Sequence, residues 1–257
     1  MDILFNKPSP PWLNFRKYSG QKVLIVHAHT DDADWNCGAT AARLADAGAE
    51  VIYVVATDGD AGTNDPHMTR GQLVQTRREE QSAANDILGV SETIYLGHRD
   101  GKLHLVTDLE DTIAALIRRH RPKLVITFDP AWPDYRMHPD HRASAIATIR
   151  AASFSDLALT YTDGESAEPF KCDELLLFEP RRPNLFVNVS KYSFKKLRAL
   201  AAHESQMVHL LPPRLHDAMY RLVEAGDNIA TRSAIRLLHP SFAVESFRRH
   251  PLGGLLR

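Results

Sequence analysis

The sequence predicts an α/β fold: a Rossmann-like, doubly wound, mostly parallel sheet with C-terminal capping elements. Three observations carry this. "KVLIVHA" (22–28) is a near-continuous apolar run, the pattern of a strand buried on both faces. The Ala-rich "GATAARLADAG" (38–48) follows as a helix with Gly48 at its C-terminal end. "EVIYVVATDGD" (50–60) then returns as a second strand ending in turn residues, and a strand–helix–strand unit implies parallel pairing with a right-handed crossover.

The alternation continues. "TRGQLVQTRREEQSAANDILG" (69–89) reads as an amphipathic helix closed by Gly89, "TIYLG" (93–97) as a short strand, and "TDLEDTIAALIRRHR" (107–121) as a helix. Thr107 and Glu110 have capping-box spacing at its start. "KLVITFDP" (123–130) is another buried strand, and "HPDHRASAIATIRAA" (138–152) a helix with Pro139 in its first turn, where the missing N–H costs nothing. Residues 153–171 read as a loop-like excursion. After it come strands at 174–180 and 185–190, helices at 191–203 and 213–225, and a last strand at 242–247. Residues 1–21 are read as a Pro-rich N-terminal extension and 22–257 as a single domain.

Composition excludes several function classes. Of 257 residues, 44% are hydrophobic and 25% charged, the balance of an ordinary globular protein rather than a disordered one. The formal net charge of −1, with no basic block, lacks the electrostatic footprint of a nucleic-acid binder. No run approaches the roughly 18 apolar residues of a membrane span. The N-terminus has no uninterrupted apolar segment, so no signal peptide is expected. Cys37 and Cys172 form no CxxC pair, which favours a reduced, cytoplasmic setting over a disulfide framework. Association into a homo-oligomer is left open.

Two polar clusters carry the chemistry. His29, Asp31 and Asp32 stand just past the first strand; His138, Asp140 and His141 stand a short loop beyond the strand at 123–128. In an open α/β sheet, ligands bind outside the carboxyl ends of the strands, so topology brings both clusters to one edge. Adjacent carboxylates at a shielded strand end repel each other unless something positive joins them. His29, Asp32 and His141 would give a two-imidazole, one-carboxylate set, suited to catalytic zinc with a position left for water. Other divalent metals suit the same ligands. Asp31 would then accept the water's proton, and His138 would polarise a carbonyl or protonate a leaving group. Trp132, Tyr135 and Arg136, in the loop before His138, are candidates for sugar recognition. The alternatives are structural: a histidine that merely ends a strand, Asp31 and Asp32 as helix-capping carboxylates, "HPDH" as an N-cap, and Trp132 as a loop anchor.

"AHTDDAD" (28–34) after a buried strand, with "HPDH" downstream, resembles the PIG-L/LmbE-like zinc-dependent N-acetylglucosaminyl deacetylases. The likeness extends in order through "ATDGDAG" (56–62), "RREEQSAANDILGV" (77–90), "YLGHRDG" (95–101), "KLRALAAHESQM" (196–207) and "FAVESF" (242–247). It implies zinc ligands His29, Asp32 and His141, Asp31 as general base, and His138 as acid or oxyanion stabiliser oriented by Asp140. It further implies Arg77 as a contact to substrate hydroxyls or phosphate, where the plain alternative is a solvated helix face. Asp100 and His203 fall on family motifs too, as substrate-binding positions. Two residues depart from the family pattern A/P-H-P-D-D-E: Thr30 stands for the proline, and Ala33 for the glutamate, with Asp34 one position later. No proposed ligand is touched.

The expected function is therefore removal of an N-acetyl group from a small amino-sugar or glycoconjugate. Two rivals stand beside it. One is a deacylase acting on a thiol conjugate or glycosylated natural product with the same zinc machinery. The other is a non-catalytic sugar- or nucleotide-binding module, disfavoured because no GxGxxG follows the first strand and carboxylates repel phosphate.

Overall fold

The computed structural model describes residues 12–161 and 168–252. The Pro-rich stretch at 1–11 and part of the loop-like excursion, 162–167, lie outside the described residues. Among the described residues there are seven strands: β1 (Lys22–His27), β2 (Glu50–Thr57), β3 (Glu92–His98), β4 (Leu124–Phe128), β5 (Glu174–Phe178), β6 (Leu185–Asn188) and β7 (Val244–His250). They form one sheet in the order β3-β2-β1-β4-β5-β7-β6. The first five strands pair in parallel; β7 runs antiparallel between β5 and β6. The sheet is thus mostly parallel and doubly wound, with an antiparallel edge.

Alternation along the strands separates two cores. Val23 and Ile25 of β1 face one side with Tyr53, Ile126, Phe128 and Leu176, under α1 (Asp32–Asp46). Leu24 and Val26 face the other with Ile52, Val54 and Val125, under α3 (Leu109–His120) and α4 (Pro139–Phe154). On the α1 side, α2 (Arg70–Leu88) and α5 (Ser193–Ala202) pack through small residues, Ala42, Ala84 and Ala199, around Leu88. A further layer, α6 (Glu204–Leu210), α7 (Pro213–Glu224) and α8 (Ile229–Leu238), covers α5 through Met207, Met219 and Ile235. In the segment before β1, Leu13, Phe15 and Tyr18 are buried in the first core, and Tyr18 donates a hydrogen bond to Glu174 (2.9 Å).

Several elements differ from the expectation. The first helix begins at Asp32, not at residue 38, and is broken at Cys37 (φ −143°). The restarted half is capped from far along the chain: the carboxylate of Glu245 accepts the amides of Ala39 (3.2 Å) and Thr40 (2.7 Å), and its charge is met by buried Lys196 at 2.8 Å. The Thr107–Glu110 capping box does not form, because α3 starts at Leu109 after Asp108 with no side-chain cap. A capping box forms instead at Thr69 and Gln72, opening α2. Helices α6 and α8 were not expected; α8 is opened by Asn228, whose side chain accepts from the Thr231 amide. Among the described residues, no helix is long and apolar enough to cross a membrane.

Winding reverses between β1 and β4: α1 carries the chain from β1 to β2, while α3 carries it back from β3 to β4. The crevice outside their carboxyl ends is where a sheet of this kind binds ligands.

Candidate metal centre and its cleft

The turn after β1 is strained. Asp31 has φ +82°, a left-handed conformation rare for a residue other than glycine. Its surroundings hold it there. The Asp31 amide donates to Gln81 Oε1 (3.3 Å), and its carbonyl accepts the Trp35 amide (2.8 Å). Arg77, 3% exposed, donates from Nε to Thr30 Oγ1 (2.8 Å), from Nη2 to the Thr30 carbonyl (3.0 Å) and from Nη1 to the Gly59 carbonyl (3.0 Å). The guanidinium also lies 3.6 Å from Asp31. A Cβ on Gly59 (φ +60°) would stand 2.6 Å from Arg77 Nη1, so that position requires glycine. Thr30, in place of the family's proline, supplies a hydroxyl that orients Arg77. Arg77 is therefore a buried clamp on the turn rather than a solvated helix face, and it also lines the cleft.

The second cluster opens α4. His138 is its N-cap, and the Asp140 amide donates to His138 Nδ1 (3.2 Å), leaving Nε2 to carry the neutral ring's proton. The Asp140 carboxylate does something else: it accepts the amides of Gly101 (2.5 Å) and Leu103 (3.0 Å) and lies 3.4 Å from His29 Nε2. So Asp140 meets His138 through its backbone, not through its carboxylate. His141 stacks on Phe128 with ring centroids 4.1 Å apart.

The two clusters meet. Asp32 bridges His29 Nδ1 (3.4 Å) and His141 Nε2 (3.1 Å), and Asp100 lies 3.1 Å from His29 Nε2. Donor atoms of His29, His138 and His141 fall within 4.8 Å of one another, as do those of His29, Asp100, His138 and Asp140. Burial works against a charged His29, but Asp32 and hydrogen bonds to Asp100 and Asp140 outweigh it and hold its pKa well above the usual value. Burial likewise opposes the Asp32 carboxylate, yet His141 and His29 keep its pKa well below the ordinary range. His138 is lowered by burial and by its two imidazole neighbours. Asp100 sits at about 2: burial opposes its charge, and His29 prevails. Asp31 goes the other way. Burial lifts it to about 6, with Arg77 pulling down and Asp32 pushing up. Three carboxylates sharing one imidazole make a place that favours a cation.

These residues floor a cleft of about 500 Å³. His29, Asp31, Asp32, Asp100, His138 and His141 line it, with Arg77. The other expected substrate contacts do not. His203 is fully buried, 2.7 Å from Asp34. Trp132 donates its indole N–H to the Glu179 carbonyl (2.8 Å), Tyr135 is 83% exposed, and Arg136 lies over the Tyr135 ring. Arg142 of α4 braces that loop by donating to the carbonyls of Pro130 and Trp132. The rest of the wall comes from residues not anticipated: Trp35 and Asn36 on α1, Glu179 after β5, and Gln206, Met207 and Leu210 on α6. Burial raises the Glu179 carboxyl, against the pull of His141. A sequence signal existed for α6, since "HESQM" ends a motif already noted, but it drew attention to His203 alone.

Comparison with known proteins agrees with this geometry. The chain is 35% identical over 188 residues to a diacetylchitobiose deacetylase of Thermococcus kodakarensis, covering 72% of this chain and 70% of that one. It is 32% identical over 203 residues to a probable N-acetyl-alpha-D-glucosaminyl L-malate deacetylase 2 of Bacillus cereus, covering 74% and 85%. Its fold matches the N,N'-diacetylchitobiose deacetylase of Pyrococcus horikoshii with a TM-score of 0.74 at 28% identity, over 90% of this chain and 84% of that one. The family described as PIG-L, GlcNAc-PI de-N-acetylase, matches residues 24–152, half of the chain and both clusters, and the chain belongs to that family.

Proposed function

We propose that this protein is an N-deacetylase, hydrolysing the acetamide of a GlcNAc-containing substrate to acetate and a free amine. His29, Asp32 and His141 hold a divalent metal, with zinc the first candidate. The observation that carries this is the convergence of imidazoles and carboxylates from two distant segments on one cleft, with more acidic groups than the protein's own cations satisfy. The donor set suits the ion: two imidazoles and a carboxylate match catalytic zinc, and Asp140 behind His29 is the kind of outer partner that fixes a ligand ring. When bound, such a cation would acidify water and stabilise negative charge developing on the acetyl oxygen.

The chain's own residues do the rest. Asp31, held by its strained backbone and by Arg77, takes the proton of the attacking water at its carboxylate. His138, with Nδ1 engaged by the Asp140 amide, directs its Nε2–H at the acetyl oxygen as a hydrogen-bond donor that steadies the developing oxyanion. The C–N bond breaks as Asp31 returns the proton it took from water to the departing nitrogen, giving the free amine and acetate. We read residues 22–257 as one domain, since the cleft draws on residues from His29 to Leu210. The proposed compartment is the cytoplasm, where the two free, buried thiols Cys37 and Cys172 suit a reducing medium.

The test is metal content by mass spectrometry, for wild type beside Asp32→Ala, followed by acetate release from GlcNAc conjugates. About one zinc per chain, lost in Asp32→Ala, with acetate released by wild type, supports the reading. Wild type that takes up no divalent metal and releases no acetate refutes it.

A further inference from the structure

The cleft contains four carboxylates, Asp31, Asp32, Asp100 and Glu179, and one guanidinium, Arg77. Arg77 is almost fully buried and its three nitrogens already donate to Thr30 and Gly59; the N–H groups left on Nη1 and Nη2 lie beside Asp31, 3.6 Å from Nη2. No lysine and no second arginine lines the cleft among the described residues. Arg181 and Arg182, two and three positions beyond Glu179, line a different cleft with Asp129 and Arg248.

Glu179 is the carboxylate that the proposed chemistry does not use. It follows β5 directly in a left-handed conformation, φ +53°, and Trp132 fixes its backbone by donating to its carbonyl. Its side chain has no hydrogen-bond or ion-pair partner among the described residues, yet it faces the cleft. A strained residue that presents an unpaired carboxylate to a binding cleft marks a functional position. Another part of the cleft wall is apolar, formed by half-buried Trp35 with Met207 and Leu210. The Trp35 indole N–H likewise has no acceptor among the described residues.

We infer that Glu179 and Trp35, on the wall of the cleft, are specificity-determining residues that select a neutral, hydroxyl-rich group attached to the N-acetylated sugar, such as a second pyranose, and turn away anionic aglycones. The inference rests on the deacetylase reading and narrows its substrate class. A carboxylate accepts hydrogen bonds from hydroxyls, and an aromatic face covers the apolar side of a sugar ring. A phosphate or dicarboxylate beside Glu179 would meet like charge, and the one guanidinium lining the cleft is already committed to Thr30, Gly59 and Asp31. Rejection by an unpaired like charge is a common source of specificity.

The test is calorimetric binding of N,N'-diacetylchitobiose and of N-acetylglucosaminyl malate to zinc-supplied Asp31→Asn. This background is stringent, because it removes one of the repelling carboxylates. Chitobiose is expected to bind at least about tenfold more tightly, and adding Glu179→Gln should bring the ratio to within about threefold by strengthening malate conjugate binding. Trp35→Ala should weaken chitobiose more than free GlcNAc. Equal or tighter binding of the malate conjugate overturns the inference, as does a ratio that Glu179→Gln leaves unchanged. Acetate release by wild type separates this from the parent reading. Turnover of both substrates with equal kcat/KM refutes the selectivity and leaves the deacetylase. Selective binding of chitobiose with no acetate from either refutes the deacetylase and leaves the selectivity.

Discussion

Two histidine–carboxylate clusters flank the first turn of α1, and they behave in opposite ways. Asp32 points into the open cluster, where it, Asp100 and Asp140 crowd around His29 at the floor of the cleft. Asp34, two residues on, points into a closed one. Its oxygens accept from Tyr53 (2.9 Å) and Gln81 (3.1 Å) and meet His203 Nε2 at 2.7 Å, all sealed from solvent. Both oxygens of Asp34 are engaged by protein donors, so this carboxylate needs no cation from outside. The open cluster has carboxylates in excess of donors, which is the condition for recruiting a cation. Residue type does not separate a ligand from a structural group; the count of partners does. Gln81 joins the two, donating to Asp34 and accepting from the Asp31 amide.

This contrast can be broken or sharpened by experiment. The largest expected effect is on turnover: Asp31→Asn should keep its zinc and lose about a thousandfold in kcat, measured by acetate release beside metal analysis. Near-wild-type turnover would remove Asp31 from the base's role. Next comes stability. Asp34→Ala strips the partner from a buried histidine and should cost about 3 kcal/mol in urea unfolding. Asp32→Ala, compared with wild type in chelator, should cost less than half as much, because it relieves a crowded carboxylate. Equal costs would erase the distinction between the clusters.

Smaller effects probe the bridge. Gln81→Leu leaves the Asp31 amide without its acceptor and should lower kcat about tenfold while KM holds, since it loosens the strained turn rather than the substrate contacts. The smallest effect is a pH dependence. Burial opposes a charged His203, but Asp34 wins and raises its pKa above the usual value. A raised folded-state pKa stabilises fully below the unfolded value of about 6.5 and loses that contribution as pH climbs through the folded one. The stability gap between wild type and His203→Gln should therefore narrow on the alkaline side. A gap that widened there would mean that His203 is held neutral.

Much of the frame was legible from local pattern. Apolar runs announced β1, β2, β4 and β5, and the strand–helix alternation implied a parallel sheet whose winding reverses beside β1, which puts His29, Asp32, His138 and His141 at one edge. Elements set by distant partners were not legible. The break in α1 depends on Glu245 and Lys196, and the failed capping box at Thr107 lost to a helix that begins two residues later.

Hydrophobic period and strand ends are local properties, so the order of elements, the two polar clusters and their meeting at the switch of winding follow from the order of residues alone. What each polar group faces is settled by packing across the fold. His203 and Asp34, 169 positions apart, meet at 2.7 Å and so leave the site. Arg77 turns inward onto Thr30 and Gly59, Trp132 turns onto the Glu179 carbonyl, and Glu179 itself is left facing the cleft unpaired. Such pairings depend on distances across the fold, and a buried charge takes its role from whichever partner arrives there.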